Sequence, residues 1–78
     1  MKEYTIAIKS PRGATVNIGW YPDTPNKNYR IYYCGSDTGL RYERLGNASK
    51  RIERYANDWK KHGITNITRQ FGTSQDIP

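Results

Sequence analysis

The sequence predicts an α+β fold: one small antiparallel sheet of four to five strands with one amphipathic helix packed on one face, in the order β-β-β-β-α-β. Runs of alternating apolar and polar residues supply the strands, and a single run at helical spacing supplies the helix. Clusters of Gly, Pro and Asn punctuate them. One helix cannot cover both sides of a sheet, so the opposite face is left in water.

The elements follow in order. Tyr4 to Lys9 points Tyr4, Ile6 and Ile8 one way and Thr5, Ala7 and Lys9 the other, as a half-buried strand does. Ser10-Pro11-Arg12-Gly13 reads as a tight turn, with Pro at its second position and Gly at its fourth. Ala14, Val16, Ile18 and Trp20 then share one face of a second strand, opposite Thr15, Asn17, Gly19 and Tyr21. The prolines and asparagines between Pro22 and Asn28 mark an exposed connection. Tyr29 to Cys34 is a third strand with Tyr29, Ile31 and Tyr33 inward and Arg30 and Tyr32 outward. Gly35 to Gly39 is expected to be a Gly-rich hairpin loop, and Leu40 to Leu45 a charged edge strand. Asn47 is the expected helix cap, with Ala48, Ile52, Tyr55, Ala56 and Trp59 forming a stripe as far as about Lys61. Lys60, Lys61 and His62 complement the carbonyl end, and Gly63 closes it. Ile64 to Phe71 is β-branched and reads as a fifth strand. The expected organisation is one compact domain over residues 1–71 and a loose tail over 72–78.

Composition bounds the function. Thirteen Lys and Arg face seven Asp and Glu, a net charge of +6, which excludes imitation of the charge of DNA. It points instead to nucleic acid, a ribonucleoprotein or an acidic protein face. The aliphatic core is thin, so Trp20, Trp59 and Phe71 are expected to fill volume. Cys34 is the single cysteine, is expected to be a small packing residue, and fits a reducing compartment. The chain shows no long apolar run and no charged-then-apolar leader, so a cytoplasmic address without membrane contact is expected, as monomer or homodimer.

Seven tyrosines beside this positive charge are the candidate binding chemistry, since rings stack bases and cations contact phosphates. On the exposed sheet face the pattern collects Lys9, Asn17, Tyr21, Arg30, Tyr32 and Arg41. Arg12 and Lys27 sit at the rims, on the turn and on the loop. The helix adds Lys50 and Arg54 away from its apolar stripe, beside Arg51, Lys60 and Lys61, with Glu53 expected to pair locally with Arg54 or Asn57. Catalysis has no comparable constellation. His62 has no second His, and Gly35 to Gly39 lacks the Lys-Ser/Thr that a phosphate loop requires. No enzyme activity, metal or cofactor is therefore expected.

The short length, isolated Cys34, four-strand run, Asn47-capped helix carrying Trp59-Lys60-Lys61, and closing strand resemble small phage-encoded anti-CRISPR α/β proteins. That resemblance implies a non-catalytic inhibitor acting by occlusion of a host defence ribonucleoprotein in the host cell cytoplasm. The Tyr29-to-Lys61 portion is also similar in order to the arm-binding domains of phage integrases, which implies direct DNA binding. The leading expectation is the inhibitor, the alternative a direct DNA- or RNA-binding module, and a third a structural or interaction protein.

Overall fold

A computed structural model describes residues 2–24, 26 and 28–73. Five strands and one helix appear in the expected order: β1 (Glu3–Lys9), β2 (Thr15–Trp20), β3 (Tyr29–Tyr33), β4 (Ser36–Tyr42), α1 (Leu45–Lys61) and β5 (Thr68–Thr73). The strands form one antiparallel sheet ordered β4-β3-β2-β1-β5. β4 is an edge, as its charge suggested, and the chain leaves α1 to add β5 beside β1 at the other edge.

Register fixes the two faces. Ile8, Val16 and Tyr33 lie opposite one another, as do Ile18 and Ile31, and Trp20, Tyr29 and Tyr42. The helix covers this side, lying mainly over β1 and less over β2, β3 and β4. Leu45, Ala48, Ile52, Ala56 and Trp59 of α1 close on Ile8, Val16, Tyr29 and Ile31 to make the core. The Cα atoms of α1 do not approach β5.

Several expectations are corrected. The hairpin between β3 and β4 turns on only Cys34 and Gly35, both at positive φ (49° and 83°), a two-residue turn whose twist suits a hairpin. Ser36 and Asp37 are therefore strand residues opposite Tyr33 and Tyr32, and Cys34 is exposed at the tip rather than packed. The helix starts at Leu45, earlier than an Asn47 cap allows; Arg44 takes the cap position in extended backbone without a side-chain bond. Burial of Leu45 draws that first turn into the helix, and Arg44 O accepts from both Asn47 N–H and Ala48 N–H. β5 begins at Thr68, because Asn66 at φ 58° breaks an extended run; Ile64 and Ile67 pack on the core from the preceding loop. Gly72 and Thr73, placed in the tail by the sequence, end β5, and residues 74–78 lie outside the described residues.

Alternation also fails in β1, where the buried residues are Thr5 and Ile8, three apart. A bulge against β5 between Thr5 and Ala7 supplies the extra residue. Ser49 of the helix accepts a hydrogen bond from Thr5 N–H at 3.0 Å, tying α1 to the strand there. Trp20 and Phe71 are about half exposed (55% and 52%) instead of filling the core. Trp20 ends β2, and Phe71 sits on the strand that α1 does not overlie.

Candidate nucleic-acid interface

The face opposite the helix is assembled by the same register. Ala7, Asn17, Tyr32 and Asp37 form one row across β1 to β4; Gly19, Arg30 and Arg41 form the next. Lys9 and Thr15 make a third row. None of these residues is buried, and no described element covers them. The outward placement expected for Lys9, Asn17, Arg30, Tyr32 and Arg41 is what the pairing gives, and Tyr21 joins them from just beyond the end of β2.

Tyr21, Arg30 and Tyr32 form a cluster. The Arg30 guanidinium carbon lies 3.9 Å from the centroid of the Tyr21 ring, a cation–π arrangement. The Tyr21 and Tyr32 rings are tilted by 35° with centroids 6.5 Å apart, and their hydroxyls are hydrogen-bonded to each other. That bond raises the pKa of Tyr21, with desolvation adding to it, so the phenol stays neutral well past physiological pH. Arg30 Nε is buried without a hydrogen-bond partner, and Arg30 has no carboxylate partner among the described residues.

Gly19 makes this cluster possible. A Cβ there would sit 2.7 Å from Tyr32 Cε2 and 3.1 Å from Tyr21 Cε2, so the missing side chain is the space both rings lean into. The available sequence signal was an isolated glycine inside a strand pattern.

Arg41 behaves differently from Arg30. Its two terminal nitrogens each donate to a carboxylate oxygen of Asp37 at 2.8 Å. In a regular strand these residues would stand about 13 Å apart. The irregularity opposite Arg30 to Tyr32, with Gly39 at φ 86°, gathers β4 and brings them together. Gly39 N–H also donates to Asp37 Oδ1 at 2.8 Å. The Arg41 bonds first, and the Gly39 bond second, hold the Asp37 carboxyl far below the usual carboxylate range. The charge of Arg41 is thus compensated within the site, and Asp37 is a member that sequence reasoning missed.

Beside the cluster, Ala7, Lys9, Thr15, Asn17, Thr68 and Gln70 line an open depression of about 430 Å³. Asn17 lies directly opposite Tyr32, so the depression continues from the rings toward Lys9.

The remaining expected contacts are dispersed. Arg12 is exposed on the Ser10–Gly13 turn, which Gly13 N–H closes onto Ser10 O at 3.0 Å, at the opposite end of β2 from Tyr21. Lys27 lies outside the described residues. Lys50 and Arg54 are exposed on α1, which packs on the other side of the sheet. Glu53 does not pair locally: Arg69 of β5 grips both of its oxygens at 3.0–3.2 Å. Among the described residues no cluster of three His, Cys, Asp or Glu side chains could hold a metal, and no helix is long and apolar enough to cross a membrane.

No family model, curated protein or solved structure matches the chain.

Proposed function

We propose that the chain is a non-catalytic nucleic-acid-binding module whose open sheet face takes a single strand of DNA or RNA. The Arg30 side chain carries this reading: its guanidinium sits over the Tyr21 ring, its buried Nε has no hydrogen-bond partner, and it makes no ion pair among the described residues. Around it are the elements a single strand needs. The Tyr21 and Tyr32 rings stack bases, an open depression beside them accommodates sugar and base edges, and Lys9 lies at its far end to meet phosphate. The net charge of +6 draws the ligand in over a longer range.

Occlusion of a ribonucleoprotein, the role implied by the anti-CRISPR resemblance, is the second reading. One observation favours it: Asp37 places a carboxylate within the cluster and compensates Arg41. A face of Tyr, Arg and Asp suits a protein hot spot as well as a phosphate chain.

Fluorescence polarisation with a labelled single-stranded oligonucleotide tests the first reading. Arg30→Glu combined with Tyr32→Ala is expected to weaken binding by about tenfold or more without altering the circular dichroism spectrum. Unchanged affinity would move the site off the sheet. Capture of an intact protein effector from nuclease-treated lysate, with no affinity for the free oligonucleotide, would replace the first reading by the second.

A further inference from the structure

The charge on α1 is more one-sided than its sequence implies. The helix carries Lys50, Arg51, Arg54, Lys60 and Lys61 against Glu53 and Asp58. Glu53 is bonded through both oxygens to Arg69 of β5, and its pKa is lowered chiefly by that contact. Five cations are left with one uncommitted carboxylate, and none of the five forms an ion pair among the described residues. At 100° per residue, Lys50, Arg54 and Lys61 fall on one line, spanning about 16 Å of axis. The line runs down the side opposite the buried stripe of Ala48, Ile52, Ala56 and Trp59. Arg51, Arg54, Tyr55, Asn57, Asp58 and Lys61 border an open depression of about 450 Å³ along the same side.

We propose that this outer face of α1 is a second polyanion surface that takes the phosphate backbone of a nucleic-acid duplex, so that one chain joins two nucleic-acid segments. The duplex part stands on the helix alone; the joining part rests on the single-strand reading of the sheet face. A duplex fits because its charge is dense, about one per 1.7 Å of axis, and a straight row of cations follows it without reading bases. The outer stripe offers no large apolar side chain, so it lacks what insertion into a lipid surface requires. The two surfaces are back to back on a molecule whose shortest extent is 17 Å, and one ligand does not obstruct the other.

The experiment uses a short mixed-sequence DNA duplex and a short single-stranded oligonucleotide, each labelled, titrated at several salt concentrations. Lys50→Glu/Arg54→Glu/Lys61→Glu is expected to weaken duplex binding by about tenfold or more and to lower the slope of log K against log salt by about three. Its single-strand binding persists. A Gln triple variant, without charge reversal, is expected to lose the same salt slope, and circular dichroism verifies folding of both. Arg30→Glu/Tyr32→Ala should show the converse, losing the strand and keeping the duplex. An immobilised duplex should retain the labelled strand only through protein with both faces intact. Duplex binding that is absent in the wild type or unchanged in both triple variants overturns the helix surface. So does a preference of the wild type for phosphatidylserine vesicles or an acidic peptide over the duplex. Duplex binding lost in the triple variants, with no single-strand binding by the wild type, upholds the helix surface and refutes the sheet reading and the joining.

Discussion

On the covered side of the sheet Ile8, Val16, Tyr29 and Ile31 are at most 2% exposed; one residue along the same strands, Ala7, Asn17, Arg30 and Tyr32 are all partly in water. The covered side is held by burial and by a few specific bonds. Those bonds are Thr5 N–H to Ser49 Oγ and the Arg69–Glu53 pair. The open side is held by contacts among its own side chains: Arg30 on Tyr21, Tyr21 to Tyr32, and Arg41 to Asp37. Because successive strand residues point to opposite faces, one parity can be committed to folding while the other is left for binding. Substitutions on the first parity should therefore change stability, and substitutions on the second should change affinity.

Ile52→Ala tests that separation most severely. Ile52 is fully buried, and its truncation is expected to cost about 2–5 kcal/mol in urea denaturation. In a domain this small each kcal/mol lowers the melting temperature by about 4–8 °C. Ser49→Ala removes the acceptor of a buried N–H and is expected to cost about 1–3 kcal/mol by the same measurement. Glu53→Gln should cost less than about 1 kcal/mol, since the pair is partly solvated. Its signature is pH dependence. Arg69 lowers the folded pKa of Glu53, so the pair contributes fully above the unfolded value of about 4.3. That contribution disappears as pH falls through the lowered folded value, and Glu53→Gln should flatten the acid limb of a stability-versus-pH curve.

Gly19→Ala sharpens the comparison on the open side. The added Cβ displaces the Tyr32 and Tyr21 rings, and single-strand affinity is expected to fall about tenfold while the chain stays folded. Asp37→Asn, the smallest effect, releases Arg41 and should raise affinity for the strand about threefold in polarisation titrations. A large loss of stability from either would show that the open face is structural after all.

How much of this was legible depended on distance along the chain. Alternation placed Val16, Ile18 and Ile31 on one face and Asn17, Arg30 and Tyr32 on the other, because those residues need only their neighbours to be read. The Asp37–Arg41 pair was hidden, since it exists only where Gly39 gathers β4. The partner of Glu53 lies sixteen residues away on a strand whose position at the edge no local pattern reveals. Residue type alone points Trp20 and Phe71 to the core, but exposure is decided by how far one helix reaches across five strands. Asn47 has the intrinsic preference of a cap, and the burial of Leu45 outweighs it. The Cys34-Gly35 turn was obscured by a glycine-rich stretch whose second glycine serves the irregularity in β4.

That irregularity also governs how copies of the molecule meet. A gathered border strand with an ion pair across it offers no flat ladder onto which another strand can be templated, so β4 discourages fibrous stacking. The β5 border carries only the Arg69–Glu53 pair and its register shift with β1 as guards among the described residues, and aggregation under crowding or partial unfolding should begin along Thr68–Thr73.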